Sequence, residues 1–349
     1  NERTKRIMAY TTINKSTDYF NTKLYTGTGS SNALTGVGFQ PDWVWMKRRD
    51  GTSSHRLCDA VRGATKLLQS SASDAEQTGA DTLTSFDSDG FTLGADAAPY
   101  NVNVNSQTMA AWCWKAGGSG SSNSDGSITS TVSASTTSGF SIVTWTGNSG
   151  SIGHGLGVKP AMIVAKSRGA TGGWYVTHKS LSAEMQDNYM FWNTNSANTT
   201  NNNIWGGEPT TSTFSVGSGL IGNTTHVAYV FAEKTGFSKF GKYTGNGNAD
   251  GPFVYTGFKP AFVLVKNAST ANNWFIQDNK RLGYNGANHL QKTNTNGADD
   301  TGTHIDILSN GFKTIVSSAN CNGNNNTMIY MAFAEAPLVG SNNIPATAR

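Results

Sequence analysis

Three short blocks recur in the same order along this chain, and a sequence that repeats itself must be read as several copies of one fold before anything else is decided. The opening block is Lys23-Leu24-Tyr25-Thr26-Gly27, then Val143-Thr144-Trp145-Thr146-Gly147, then Gly241-Lys242-Tyr243-Thr244-Gly245. About fifteen residues later comes Gly38-Phe39-Gln40-Pro41-Asp42-Trp43-Val44-Trp45-Met46-Lys47. Its counterparts are Gly157-Val158-Lys159-Pro160-Ala161-Met162-Ile163-Val164-Ala165-Lys166 and Gly257-Phe258-Lys259-Pro260-Ala261-Phe262-Val263-Leu264-Val265-Lys266. A third block is Gly90-Phe91-Thr92-Leu93, Thr213-Phe214-Ser215-Val216 and Gly311-Phe312-Lys313-Thr314. Each unit then ends on one more apolar run, around Trp112, Tyr229 and Met331.

The second block reads as a turn closed by proline, which is excluded from mid-sheet positions, followed by an apolar strand and a Lys where the strand meets solvent. Near-continuous apolar character predicts a strand covered on both faces. The prolines lie 119 and 100 residues apart, the size of a whole β-sandwich rather than of a solenoid repeat.

Composition agrees. Only 14% of residues are charged, against about 25% in an ordinary soluble protein, and the 40 glycines sit among abundant Ser, Thr and Asn. Those residues favour turns and short strands over helices. Hydrophobic residues at 36%, with 9 Trp, 16 Phe and 11 Tyr, supply cores and argue against disorder. At 349 residues, more than one core is expected.

The fold expected is therefore all-β, three tandem β-sandwich domains of jelly-roll or lectin-like type. The divisions are an N-terminal arm (1–22), repeat 1 (23–116), a flexible Gly/Ser linker (117–126), repeat 2 (127–235), repeat 3 (236–336) and a C-terminal tail (337–349). Met8-Ala9-Tyr10 reads as a natural start, and residues 1–7 lack the apolar stretch of a signal peptide. The segment from Asp59 to Leu68 reads either as a helix or as an irregular excursion over the sheet. The Asn-rich stretches at 199–203 and 320–326 read as loops.

The net charge of +4 is scattered, with Lys47, Arg48 and Arg49 the one tight basic cluster after the N-terminus. Nucleic-acid binding needs a more concentrated basic face. No apolar run approaches the 18 residues of a membrane span. Cys58, Cys113 and Cys321 are odd in number and far apart, which fits buried thiols of a protein made in a reducing cytoplasm.

No catalytic constellation, nucleophile elbow, phosphate loop or cofactor motif stands out. Asp87 and Asp89, alternating before Gly90, are weak calcium candidates against the plainer reading of an Asp-Gly turn. His154 and His178 read as structural hydrogen-bonding groups. Binding is the more plausible chemistry, since sugar rings stack on aromatic faces held by loops. Trp174, Trp192, Trp205 and Trp274 lie in polar, loop-rich contexts and are the glycan-binding candidates, with a packing or interface role as the alternative.

Several ordered motifs resemble β-rich virion proteins of marine tailed bacteriophages. They include Met8-Ala9-Tyr10-Thr11-Thr12-Ile13, Gln40-Pro41-Asp42-Trp43-Val44-Trp45-Met46-Lys47, Asp59-Ala60-Val61-Arg62-Gly63 and Ala111-Trp112-Cys113-Trp114-Lys115-Ala116-Gly117-Gly118. Trp174-Tyr175-Val176-Thr177-His178-Lys179-Ser180-Leu181 and Pro209-Thr210-Thr211-Ser212-Thr213-Phe214-Ser215-Val216-Gly217 add to them. Repeat 3 departs most, with Trp274-Phe275-Ile276-Gln277 where repeat 2 has Trp-x-Val-x-His. The resemblance implies a non-catalytic virion component, often labelled tail fibre, assembled with other virion proteins and contacting host cell-surface polysaccharide. It also implies a homo-oligomer, a trimer by analogy with fibres, although no heptad pattern enforces one. A capsid-head decoration protein is the runner-up, and a glycan-depolymerising enzyme or free lectin comes third. No cofactor is expected.

Overall fold

In a computed structural model, residues 11–97, 100–220, 222–281, 285, 289–302 and 304–337 are described. Strand accounts for 44% of residues and helix for 2%, so the chain is all-β. The segment from Asp59 to Leu68 is a turn leading into the short strand Lys66–Leu67, an excursion rather than a helix. The one α-helix among the described residues is the single turn Ala319–Asn322, inside a stretch expected to be loop.

The same order of four antiparallel strands occurs three times: opening, closing, post-proline, hairpin. The opening strands are Phe20–Thr26, Phe140–Thr146 and Ser238–Thr244, and the closing strands are Thr108–Trp114, Thr225–Phe231 and Thr327–Pro337. The post-proline strands are Trp43–Arg48, Met162–Ser167 and Phe258–Asn267, and the hairpin strands are Arg56–Asp59, Trp174–His178 and Phe275–Asp278. Registers correspond as well. Trp43 pairs with Trp114, Met162 with Phe231 and Phe262 with Phe333. A smaller sheet lies against one face of each: Asn32–Leu34 with Gly90–Leu93 and Leu83–Asp87, Gly150–Gly153 with Thr213–Val216, and Phe253–Tyr255 with Gly311–Thr314 and Ile305–Leu308.

Side chains of a strand alternate between faces, and here the two faces of each post-proline strand enter different cores. Val44 and Met46, Ile163 and Ala165, and Val263 and Val265 face their own small sheets. Trp43 and Trp45, Met162 and Val164, and Phe262 and Leu264 all enter one cluster shared by the three units. The three units therefore meet in one shared core. Trp43 stacks on Tyr229 of the second unit with ring centroids 4.3 Å apart, Trp45 meets Trp192 at 4.8 Å, and Trp114 meets Phe262 of the third unit at 5.5 Å. Burying rings of this size is worth roughly 4–6 kcal/mol each before ordering entropy is subtracted.

The recurring Thr-Gly of the opening block has a steric cause in two units. A Cβ on Gly27 would sit 2.1 Å from the Val104 carbonyl oxygen, and one on Gly245 would sit 2.3 Å from that of Gly323. Pro41 and Pro160 precede their strands as expected, but Pro260 lies within Phe258–Asn267, where the register shifts on either side of it. A bulge there accommodates a residue with no N–H to donate.

The stretch expected as a flexible linker is built into the second unit. Ser121–Asn123 pairs as an edge strand with Ser130–Ser135, and the Gly117 N–H donates to Ser133 Oγ at 2.8 Å. Of the expected arm, residues 1–10 lie outside the described residues, while Phe20, Asn21 and Thr22 already pair with Trp114, Cys113 and Trp112 in the first sheet. Of the tail, residues 338–349 lie outside the described residues.

Candidate functional site

The most elaborate polar chemistry of the molecule lies where the units meet. At the end of each hairpin strand stand Asp59, His178 and Asp278, opposite Trp43, Met162 and Phe262. Asp59 accepts from the Arg62 backbone N–H at 2.8 Å and holds the Arg62 guanidinium, which also donates to Leu57 O and, at 3.1 Å, to Tyr229 Oη. The Tyr229 hydroxyl donates back to Asp59 at 2.9 Å. The third unit repeats this against the first. Arg281 Nε donates to Asp278 at 2.7 Å, and Trp112 Nε1 donates to the same carboxylate at 2.9 Å. Trp112, Tyr229 and Met331 occupy equivalent closing-strand positions. Met331 has no donor, and the unit facing it carries His178, whose Nε2 donates to the Tyr330 carbonyl at 3.2 Å. First touches second, second touches third, and third touches first.

A second set of bonds runs the other way round. Trp174 Nε1 donates to Gln69 O at 2.7 Å, Trp274 Nε1 to Phe191 O at 2.9 Å, and His55 Nε2 to Lys292 O at 3.1 Å. Backbone bonds close the same seams: Glu76 N–H to Arg168 O, Asn198 N–H to Ala268 O, and Asp299 N–H to Arg49 O. Two of these seams add an ion pair, Arg168 with Glu76 and Arg49 with Asp299. Where Ala268 replaces the arginine, Asn198 replaces the acid.

Electrostatics follow from burial. Burial works against charge on Arg62, but Asp59, Tyr229 and Glu76 outweigh it and raise its pKa. Burial alone would raise Asp299, yet Arg281, Arg49 and Gln291 hold it below the usual carboxylate range. Lys47, Lys166 and Lys266, expected at the solvent edge, are buried. Each Nζ donates to the carbonyl of the following residue, at 2.5, 2.6 and 2.7 Å. Desolvation lowers Lys47 and Lys166 to about 8 and Lys266 to about 7.

Burial pushes His178 down to about 4, from an ordinary 6.5. It accepts from the Ser180 N–H at Nδ1 while donating at Nε2, the pattern of a neutral ring. The unfolded chain takes up this proton near pH 6.5 and the folded chain not until about 4, so the stability is complete above 6.5 and falls between those values. The loss is roughly 3 kcal/mol, and His55, also lowered by burial, acts in the same direction. Urea midpoints measured from pH 7 to pH 4.5 should fall, and His178→Gln, which preserves one donor and one acceptor, should flatten the profile. Equal slopes for the two proteins would refute this assignment.

The four tryptophans expected to meet sugars are all buried: Trp174 and Trp192 at 0% exposure, Trp274 at 1% and Trp205 at 2%. A ring without an open face has nothing to stack on. Trp174, Trp192 and Trp274 belong to the shared core and Trp205 to the second unit's own core. The weak calcium candidates are occupied by protein donors. Asp87 accepts from Ser85 Oγ and Thr92 Oγ1, and Asp89 from the Gly36 and Gly38 N–H groups. Among the described residues no group of three or more His, Cys, Asp or Glu is placed to hold a metal ion. His154 is buried, bonded to Thr210 O and the Leu156 N–H. The three thiols are buried and free, with Cys58 and Cys321 pushed up to about 12 by desolvation. Asp59 with Glu76, and Asp278 with Asp299, are acid pairs that the fold brings together at the seams. Each is bridged by one buried guanidinium, unlike the two carboxyls that flank a glycosidic bond.

What sequence reasoning missed lies on the outside. Phe253 and Tyr255 are 47% and 59% exposed, two positions apart on an edge strand of the third unit's small sheet. The signal available was alternation: Phe-Val-Tyr with only the middle residue apolar-facing predicts both rings on one outer face.

A family model described as a domain of unknown function, DUF7483, matches residues 15–337, one stretch that takes in all three units. The chain belongs to this family. No curated protein matches it. In this DUF7483 chain the match begins just before the first opening strand and ends with the last closing strand, so the seams between units fall within the matched stretch. No helix among its described residues is long and apolar enough to cross a membrane.

Proposed function

We propose that this protein is a non-catalytic structural subunit of a tailed-phage particle, a tail fibre or related appendage made of three tandem β-sandwiches of jelly-roll or lectin-like kind, whose outer faces meet host-surface polysaccharide. The observation that carries the reading is the use made of the buried charge. Asp59, Arg62, Asp278, Arg281 and Asp299, the groups an enzyme would turn toward a substrate, are turned toward neighbouring units and tie them into one body. A rigid body with a surface of Ser, Thr and Asn suits a part that carries load and makes many weak polar contacts, which multiplicity converts into avidity. The resemblance of the ordered motifs to virion proteins supplies the particle, its other proteins as partners and the expectation of an oligomer. Three buried thiols are compatible with assembly in the host cytoplasm.

Antibody raised to the full chain, located on particles by electron microscopy, tests the proposal. Label at the tail is the expected result. Label distributed over the head would replace the fibre with a decoration protein, and particles without label would overturn the virion assignment.

A further inference from the structure

The three units permit a comparison inside one molecule. At the outer face of each small sheet, positions equivalent by register carry Ala33 and Thr35 in the first unit, Ser151 and Gly153 in the second, and Phe253 and Tyr255 in the third. The first unit leaves the small residues Ala33 and Thr35 exposed there, whereas in the second Gly153 is buried beneath Asn123, so the fold does not require rings. The positions beside them differ in the same way. In the first unit Ser85, Asp87 and Thr92 bond to one another and close that face. In the second, Ser151 bonds to Ser127. In the third, Phe253, Lys313 and Asp306 lie in one row across the sheet, and Tyr255, Gly311 and Leu308 in the next. Gly311 leaves a floor over which the Phe253 ring leans, since a Cβ there would lie 3.0 Å from Phe253 Cε2. Lys313 pairs with the exposed Asp250 at the edge.

We propose that this face is a saccharide-binding site, in which two linked pyranose rings lie on Phe253 and Tyr255 and a hydroxyl accepts from Lys313. Side chains two residues apart on a strand stand roughly 7 Å from each other, close enough for adjoining sugars of one extended chain to cover both. The rings supply apolar faces, and Lys313 supplies a donor in the same row as Phe253. The ligand class rests on the reading above of a surface that meets polysaccharide; the location does not.

The test is affinity electrophoresis and surface binding of the full chain on laminarin, dextran and alginate. The variant joins Phe253→Ala with Tyr255→Thr, the residues of the first unit. Both side chains are exposed, so its thermal midpoint should match that of the parent. Binding to at least one of these polysaccharides should weaken by at least about tenfold in that variant and by several-fold in Lys313→Met. Parent-like binding by the double variant would overturn the site while leaving polysaccharide contact intact. A parent that binds none of the three would overturn both. Self-association of the parent that the double variant abolishes, without any change in polysaccharide binding, would assign the face to a second copy of the chain and overturn the saccharide.

Discussion

Arg281→Ala is expected to destabilise the protein by about 3–5 kcal/mol, the cost of leaving a buried carboxylate without its partner. Arg281 and Asp278 have no exposed side-chain surface, and Arg281 also holds Asp299 at 3.0 Å and the Ile276 carbonyl at 3.0 Å. After truncation, Asp278 retains the Trp112 Nε1 donor from the first unit but no opposing charge, and Asp299 retains Arg49. The largest penalty is therefore desolvation at Asp278, and the seam between third and first units weakens most. Urea denaturation of the variant beside the parent measures it. Arg62→Ala should behave alike at the first-to-second seam, because Asp59 and Tyr229 stand in the corresponding places. An exposed pair such as Lys15 with Asp18 offers the contrast, since exposed pairs are worth under about 1 kcal/mol. An unchanged midpoint for Arg281→Ala would show that the buried pair does not hold the seam.

Trp43→Ala should cost a similar amount, about 3–5 kcal/mol, and should do so across all three units at once. Its ring lies against Trp45 and Trp114 of its own sheet and against Phe140, Tyr229 and Phe231 of the second. Removing it opens a cavity in the cluster that every unit shares. Unfolding followed by tryptophan fluorescence and by far-ultraviolet dichroism should remain one coincident transition, displaced as a whole. The second unit alone, residues 117–235, would expose Met162, Val164, Trp174, Tyr229 and Phe231 to water. That fragment should bind a hydrophobic dye and lack a sharp transition. If it unfolded cooperatively with native-like dichroism, the units would be independent domains and the shared core incidental.

Much of this architecture was legible before any tertiary structure. The post-proline blocks predicted strands covered on both faces, and Trp43–Arg48 and Met162–Ser167 are covered so. The recurrence of Tyr-Thr-Gly and Trp-Thr-Gly marked the end of each opening strand. The glycine-rich stretch from 117 to 126 misled, because composition reports how readily a backbone bends and not what it pairs with. Lys47, Lys166 and Lys266 misled too: a lysine after an apolar run reads as the solvent boundary, yet here the ammonium turns back onto carbonyls of its own strand end.

The tryptophan candidates show where local reading stops. Trp174 follows Gly172 and Gly173, and Trp274 follows Asn272 and Asn273, so each stands beside polar neighbours. Polarity of neighbours describes the chain, whereas burial is decided by whatever crosses over the side chain. In both cases that is another unit, whose carbonyl also takes the indole N–H. Sequence by itself determined that the chain is β-rich and where the opening, post-proline and closing strands recur, because these depend on spacings of a few residues. Only the tertiary structure decided which of two buried faces meets a neighbouring unit, that Asp59, His178 and Asp278 close one ring of contacts, and that Phe253 and Tyr255 remain outside. Those outcomes depend on side chains a hundred or more residues apart arriving at one place, and strand periodicity carries no information about the partner across the gap.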